Sequence, residues 1–421
     1  MLQRWFSYHL SSPGVPSACD KSVAECLARE SGLEFEEHSV VTMDGHILGL
    51  HRCYLPSLAP THGRPPLLLM HGLMQDAESF LCGGSKSLAH ALAHAGYDVW
   101  LGNNRGNKYS QGHVSLPSTD ERFWDFCIDD LAHFDVPAIV NYIIRHTAYK
   151  KLAYVGFSQG TAQAFAALCR HSELGRRVSI FVALAPAVCS PGLNDPNLAA
   201  LLHSDHNILN SAFGKGSMLA SCEVWRAVLS RSMFASVVER AMLLLFGWRC
   251  LNISPTRRVA IFQHAYSFSS VKCVIQWFQI IKSGALGRFL APHNSCRYCE
   301  YTFQRSLESR HPHSPDSGGI AGNQRQDSLS TASASDECFC EKEPFRGQNH
   351  YDISSIDCPV AILYGGADKL IDARVAVDKL HKCVYVHEEP LYEHLDMIWA
   401  DTASTNIFPK VVDLLALYHN T

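Results

Sequence analysis

Short apolar runs alternate with longer segments of helical periodicity through the first half of the chain. Each apolar run has the length of one buried strand, and each helical segment is long enough to bring the chain back to the start of the next strand. The predicted strands are 39–42 and 47–55, which form a hairpin around Asp44-Gly45, and then 67–70, 97–101, 152–157 and 178–184. The predicted helices are 85–95, 123–145 and 161–170. This alternation predicts an α/β fold with a mostly parallel central sheet and helices on both faces.

The alternation stops after about residue 189. Large apolar side chains follow on helical segments, and three of the seven tryptophans lie there: Trp225, Trp248 and Trp277. This composition predicts a helical insertion, which is either the ordinary core of a subdomain or a cap that lines a substrate site. The serine-rich residues 304–335 predict a flexible surface insertion. The pattern then resumes with a strand at 360–364, a helix at 373–380, a strand at 384–386 and a helix after His394.

These changes of pattern divide the chain into five segments. They are an N-terminal extension at 1–32, the first part of the α/β core at 33–188, a helical cap at 189–290, a serine- and cysteine-containing insertion at 291–349, and the second part of the core at 350–421.

Composition narrows the class of protein. Of the 421 residues, 47% are hydrophobic and 18% are charged, which is enough apolar material for a large core. The formal net charge of −4 gives no basic excess for a nucleic-acid partner. We find neither an apolar segment of about 18 residues nor the apolar stretch of a signal peptide. The sequence therefore predicts an intracellular protein, either cytosolic or peripheral on a lipid droplet or the endoplasmic reticulum membrane, with its 16 cysteines reduced.

The motif Gly156-Phe157-Ser158-Gln159-Gly160 is the first candidate for chemistry. By chance alone, G-x-S-x-G occurs in about one chain in ten of this length. Here, however, a predicted strand leads into the motif and a predicted helix leads out of it. A nucleophile elbow needs this context, because the sharp turn lifts the serine hydroxyl above the sheet at a helix N-terminus. We therefore predict Ser158 as a nucleophile.

A serine hydroxyl needs a base to take its proton and an acid to orient that base. In this architecture the acid and then the histidine follow the serine, on loops after late strands. Asp368 follows the strand 360–364 and His394 follows the strand 384–386, so we predict these two residues as the acid and the base. The competitors are Asp372, which we interpret as a helix N-cap, and the surface histidines His381 and His387. We expect Asp396, two residues after His394, to be structural.

Backbone N–H groups must stabilise the oxyanion that such a reaction forms. His71-Gly72-Leu73 follows a buried strand directly, so the N–H of Leu73 is one candidate donor and that of Gln159 is the second.

Searches for cofactor and metal motifs lead to no positive prediction. Residues 83–87 lack the spacing of a phosphate loop, and residues 102–106 are not a dinucleotide fingerprint. The pairs Cys296 with Cys299 and Cys338 with Cys340 could ligate zinc, but their spacing matches no standard module. We predict neither a cofactor nor a metal.

Several motifs together resemble the acid lipase family of α/β-hydrolases, which includes gastric and lysosomal acid lipases and the fungal steryl ester hydrolases. The likeness covers about residues 33–295 and 350–415, and two stretches look most like the fungal branch. The motifs are residues 37–45, 71–73, 102–107, 123–124, 135–138, 156–161, 365–368 and 394–399, and the fungal-like stretches are 253–258 and 262–267.

This resemblance implies the α/β-hydrolase fold and an enzyme that hydrolyses esters of neutral lipids, steryl esters or triacylglycerols. Ser158 would be the nucleophile, His394 the general base and then the acid, and Asp368 the orienting carboxylate. The helical insertion would be the cap over a deep apolar tunnel. A peripheral contact with a lipid droplet or membrane surface is a possible partner interaction. Two other classes stay open: a non-catalytic lipid-binding protein on the same fold, and an acyltransferase or thioesterase that uses the same acyl-enzyme.

Overall fold

The computed structural model describes residues 21–56, 63–190, 213–290 and 349–418, together with residues 209 and 211. Its strands are β1 (Glu34–Val41), β2 (His46–Tyr54), β3 (Pro66–Met70), β4 (Asp98–Gly102), β5 (Gly112–His113), β6 (Leu152–Phe157), β7 (Val178–Leu184), β8 (Val360–Gly365) and β9 (Cys383–Glu389). Within these residues they form one sheet in the order β1-β2-β4-β3-β6-β7-β8-β9, and β5 pairs with β2.

The sheet has an antiparallel edge and a parallel centre. Strands β1 and β2 form the predicted hairpin, with Val41 opposite Ile47, and β2 runs antiparallel to β4. From β4 through β3, β6, β7 and β8 to β9, every neighbouring pair is parallel. The predicted α/β fold with a mostly parallel sheet is therefore confirmed, and the carboxyl ends of β3, β6, β8 and β9 lie at one edge of the sheet.

The helices fall into three groups. Those of the first part are α1 (Val23–Glu30), which precedes β1, and then α2 (Leu88–His94), α3 (Ile128–Asp130), α4 (Val136–Thr147), α5 (Gln159–Arg170) and α6 (Ser172–Gly175). Those of the insertion are α7 (Ser221–Val228), α8 (Arg231–Phe246), α9 (Pro255–Ile261) and α10 (Val271–Ser283). The last group is α11 (Ala373–Lys379), α12 (Asp396–Trp399), α13 (Ala403–Asn406) and α14 (Phe408–Tyr418).

The predicted helix 123–145 differs most from the structure. It is divided into a 3₁₀ turn at Glu121–Trp124, then α3, a π-helical stretch at Leu131–Asp135, and α4. Pro137 lies in the first turn of α4 and has no N–H to donate to the carbonyl of His133, so a regular α-helical ladder cannot continue across this point.

The central strands and the helices that pack on them form the main core. All residues of β3, β4, β6 and β7 are buried, as expected for strands covered on both faces. Helix α1 lies in the segment that the sequence predicts as an extension, yet its Ala24 and Ala28 are fully buried in this core. The hydroxyl of Tyr109 accepts a hydrogen bond from the backbone N–H of Ala24, at 3.1 Å.

Two sequence predictions lie outside the described residues. They are the serine-rich surface insertion and the cysteine pairs around 296–299 and 338–340. In the part of the chain that is described, every helix is too short or too polar to cross a membrane.

Candidate active site

Ser158 lies on a strained turn between β6 and α5. Its φ of 51° is in the left-handed region, which non-glycine residues rarely adopt. The turn is tight because α5 packs directly against the end of β3: a Cβ added to Gly160 would be 2.2 Å from the carbonyl oxygen of Met70. Glycine is therefore required there, and the local geometry is that of a nucleophile elbow.

Ser158, His394 and Asp368 form one hydrogen-bonded chain. The Oγ of Ser158 is 2.7 Å from Nε2 of His394, and Nδ1 of His394 is 2.6 Å from Oδ2 of Asp368. The side chains of His394 and Asp368 are 2% and 0% exposed. With Nδ1–H donating to the carboxylate, Nε2 is left to accept the serine proton. The structure thus brings the three predicted residues together in the order that nucleophilic catalysis requires.

The loops after β8 and β9 approach each other closely, and this contact brings Asp368 to His394. A Cβ added to Gly365 would be 2.1 Å from the carbonyl oxygen of Tyr392, so a side chain at this position would separate the loops. The same carbonyl accepts a hydrogen bond from the N–H of Ala367, at 3.0 Å. A backbone hydrogen bond therefore joins the two loops just before Asp368 and His394, the candidate catalytic pair.

The predicted oxyanion donors lie next to Ser158. Gln159 is the first residue of α5, where helix N–H groups have no partner within the helix. A Cβ added to Gly72 would be 3.3 Å from the Cβ of Ser158, so the backbone that leads into Leu73 passes beside the serine. Among the described residues, the N–H groups of Leu73 and Gln159 have no protein acceptor. Both are available to a ligand oxygen.

His71 holds the loop that carries Leu73. Its Nδ1–H donates to the carbonyl of Gly72 at 2.8 Å, and its Nε2 accepts from the N–H of Asn104 at 3.1 Å and from Nδ2 of Asn107 at 3.2 Å. Burial lowers the pKa of His71 to about 4, which keeps the ring neutral and Nε2 able to accept. The sequence analysis considered His71 only as part of an H-G turn, because its partners lie 33 and 36 residues away.

Arg105 ties three parts of the core together behind this loop. Its guanidinium donates to the carboxylates of Asp135, at 2.6 and 2.8 Å, and of Asp44, at 2.6 and 3.0 Å. Burial disfavours the charged form of Asp44, but the positive charge of Arg105 outweighs it and lowers the pKa of this carboxyl. The glycine-rich segment around Arg105, which matched no cofactor fingerprint, is therefore a structural junction.

The alternative acid and bases lie elsewhere or serve other roles. Asp372 caps α11 by accepting from the N–H of Arg374 at 3.1 Å, as the sequence analysis predicts. His387 lies on β9 beside Glu389, with 3.4 Å between Nε2 and Oε2. Asp396 accepts from the N–H of Glu393 and from Nδ2 of Asn252, at 2.6 and 2.8 Å. Its role is consistent with the structural one expected from the sequence.

Two tryptophans of the insertion contact these candidate groups. The ring of Trp248 stacks on the imidazole of His394, and Nε1 of Trp277 donates to Oε1 of Gln159. The sequence analysis noted both only as large apolar residues, because no local pattern shows what such a residue contacts 100 or more positions away.

Comparisons with known proteins agree on the family. The sequence profile of the "alpha/beta hydrolase fold" matches residues 65–401, and that of the "Partial alpha/beta-hydrolase lipase region" matches residues 24–84. Two probable lipases of Schizosaccharomyces pombe are similar to this chain. One is 35% identical, covering 97% of this chain and 84% of its own length, and the other is 34% identical, covering 94% and 77%. Human gastric triacylglycerol lipase is 28% identical, covering 91% of this chain and 88% of its own.

Proposed function

Since the chain belongs to the α/β-hydrolase family and is a lipase-type carboxylic ester hydrolase, we propose that it hydrolyses esters of neutral lipids through an acyl-enzyme on Ser158. The observation that carries this proposal is the chain of two short hydrogen bonds, 2.7 Å from Ser158 to His394 and 2.6 Å from His394 to Asp368. These bonds give each of the three groups a defined part in acyl transfer.

In the first half of the proposed reaction, Oγ of Ser158 attacks the ester carbonyl carbon while Nε2 of His394 takes its proton. Asp368 holds the imidazole in the correct tautomer and stabilises the imidazolium that forms. The N–H groups of Leu73 and Gln159 donate to the oxyanion of the tetrahedral intermediate. The intermediate collapses, His394 returns the proton to the leaving oxygen, and the alcohol departs from an ester of Ser158.

In the second half, a water molecule gives its proton to Nε2 of His394 and attacks the acyl carbon. A second tetrahedral intermediate collapses, the proton returns to Ser158, and the fatty acid leaves. If another alcohol or a thiol took the place of water, the same acyl-enzyme would act as an acyltransferase. If the substrate were a thioester, it would act as a thioesterase.

Neutral lipid esters are the substrate class that the helical insertion favours. Its Trp248 and Trp277 contact the candidate catalytic groups, so two aromatic side chains of the insertion lie beside the proposed reacting centre. An apolar site of this kind gains binding free energy from long acyl chains or a sterol ring system and little from small polar esters. Steryl esters and triacylglycerols both fit this description.

We also propose that the enzyme contacts a lipid surface peripherally. Several large apolar side chains of the insertion and of the loop that carries His394 are exposed to solvent: Trp225 and Val228 on α7, Leu243 and Leu244 on α8, Leu251 after α8, and Leu391 in the His394 loop. Exposed apolar side chains of this size gain free energy when they leave water for the acyl region of a lipid surface.

Labelling with a fluorophosphonate probe tests the reaction. We expect the wild-type protein and Ser236→Ala, a matched serine on α8, to be labelled equally, and Ser158→Ala to remain unlabelled. Ser158→Ala and His394→Ala should each lower turnover of p-nitrophenyl butyrate by at least about 10³-fold while the protein stays folded. A folded wild-type protein that resists labelling would instead indicate a non-catalytic lipid-binding protein. A hydrolysis panel of cholesteryl oleate and triolein, with and without an added alcohol, then identifies the substrate and the acceptor.

A further inference from the structure

The indole of Trp248 and the imidazole of His394 lie face to face. Their ring centroids are 5.0 Å apart and the angle between their planes is 6°. Phe246 stacks on Trp248 in turn, with centroids 4.4 Å apart. Trp248 is 6% exposed, and its Nε1 has no hydrogen-bond partner among the described residues. Ring stacking and packing, rather than a polar contact, therefore hold this indole against the catalytic base.

The chain that follows Trp248 is fastened to the loop of His394. The carboxylate of Glu393 accepts from the N–H of Arg249 at 2.9 Å and of Cys250 at 2.7 Å. Asn252 donates through Nδ2 to Oδ2 of Asp396 at 2.8 Å, and to the carbonyl of Leu391 at 2.8 Å. Glu393 and Asp396 lie on either side of His394 in the sequence. The insertion thus holds the histidine loop from both sides while Trp248 covers the ring.

A second contact reaches the oxyanion side of the site. Nε1 of Trp277, on α10, donates to Oε1 of Gln159 at 2.7 Å. Gln159 is 2% exposed and Trp277 is partly buried, so this bond is shielded from much of the surrounding water, which strengthens it electrostatically. The side chain of the residue whose N–H faces the oxyanion is therefore anchored to the insertion.

We propose that the insertion is part of the catalytic machinery: Trp248 is a positioning residue for the imidazole of His394, and Trp277 is one for Gln159. The proposal rests on the proposed acyl-enzyme reaction and extends it. Two hydrogen bonds in the ring plane fix the direction of the imidazole, but they resist tilting of the ring weakly. A flat aromatic face parallel to the ring resists this tilt, and its negative π surface favours the imidazolium that forms when Ser158 gives up its proton.

The test compares Trp248→Phe with Trp248→Leu on p-nitrophenyl butyrate, a small soluble ester that does not need a lipid surface. We expect Trp248→Leu to lower kcat by about tenfold, the range of a buried aromatic pair, with KM changed less than about twofold. Trp248→Phe keeps an aromatic face and should retain kcat within about threefold. The rate of fluorophosphonate labelling should fall in parallel with kcat, because it reports activation of Ser158 without any acyl chain.

Tyr149→Leu, the same kind of change outside the site, is the control and should leave both rates unchanged. Trp277→Phe keeps an aromatic ring but removes the N–H donor, and we expect it to lower kcat by about three- to tenfold, the effect of one hydrogen bond. If Trp248→Leu does not fold, Trp248→Met provides the same comparison with a more adaptable side chain.

Equal rates for the Phe and Leu variants at position 248, whether both normal or both low, would overturn the role of the aromatic face. A wild-type protein that the probe does not label would overturn the proposed function itself. The two failures are therefore distinguishable.

Discussion

The sheet core and the helical insertion use apolar residues in opposite ways. In α5, which packs on the sheet behind Ser158, all of residues 159–168 are buried. In the 16-residue α8 of the insertion, only Phe234 and Ala235 are buried, although the helix also carries Leu243, Leu244 and Leu245, all of which are exposed. The core thus uses its apolar surface to stabilise the fold, while the outer helices of the insertion leave theirs in contact with solvent.

The helices of the insertion also differ from one another in how much of their surface is buried. Helix α10 buries seven of its 13 residues and carries Trp277 to the site, whereas α7 buries none. The sequence analysis could not choose between a subdomain core and a substrate-lining cap for this segment. The structure separates the two possibilities by helix: α10 packs inward beside the candidate catalytic groups, and α7 and α8 present apolar side chains outward. Apolar composition alone therefore does not show whether a segment is buried.

The largest expected effect is a loss of kcat when the carboxylate that orients His394 is changed. Asp368→Asn should lower kcat by about 10³- to 10⁴-fold, because an amide at this place favours the wrong imidazole tautomer. Asp372→Asn, the matched change four residues later at the N-cap of α11, should change kcat less than about twofold. Steady-state hydrolysis of p-nitrophenyl butyrate measures both. A severe loss in Asp372→Asn with normal activity in Asp368→Asn would show that the acid is assigned to the wrong residue.

Removing a buried charge should lower the free energy of unfolding far more than removing a charge on the surface. Arg105→Met removes the cation from the fully buried carboxylate of Asp135 and the partly buried one of Asp44, and should lower the free energy of unfolding by about 3–5 kcal/mol. Arg374→Met, on the exposed surface of α11, should change it by less than about 0.5 kcal/mol. Urea denaturation followed by tryptophan fluorescence measures both. Equal effects would mean that the core tolerates unpaired charge as well as the surface does.

The contact between core and insertion should depend on pH through Asp396. Burial is the largest influence on its pKa, which rises from 3.8 to about 6 against the opposing hydrogen bonds from Asn252 and Glu393. The folded protein therefore holds this proton more tightly than the unfolded chain does. The contribution of Asp396 to the free energy of unfolding should fall as pH rises from about 4 to about 6, by on the order of 3 kcal/mol, and stay constant above.

Asp396→Asn, which resembles the protonated form, checks this sign. Its unfolding free energy relative to wild type should increase across the same pH window and level off above it. A difference that is constant from pH 4 to pH 7 would contradict the assignment.

The smallest effect on stability is expected when exposed apolar side chains of the insertion are replaced by polar ones. The double variant Val228→Ser with Leu244→Ser should change the free energy of unfolding by less than about 0.5 kcal/mol. The same variant should bind phosphatidylcholine vesicles that contain triolein at least about tenfold more weakly, because each side chain loses about 1.5–3 kcal/mol of burial in lipid. Vesicle flotation measures the binding. Unchanged binding would argue against the proposed lipid contact of these two helices.

The sequence by itself determined the features that depend on neighbours along the chain. The strand–turn–helix context of Ser158 and the strand ends before Asp368 and His394 follow from hydrophobic period and turn chemistry, which act over a few residues. These local rules were sufficient to predict the α/β fold and the candidate residues, and to recognise Asp372 as a helix cap.

Only the tertiary structure decided which distant groups meet. Ser158 and His394 are 236 residues apart, and Ile128 bonds to Gln276 across 148 residues. The contact of Trp248 with His394 likewise has no local signature in the sequence. The same holds for the outward apolar faces of α7 and α8 and for the junction at Arg105. Burial and pairing depend on what packs against a residue from elsewhere in the chain, and hydrophobic period specifies only which face of an element is apolar.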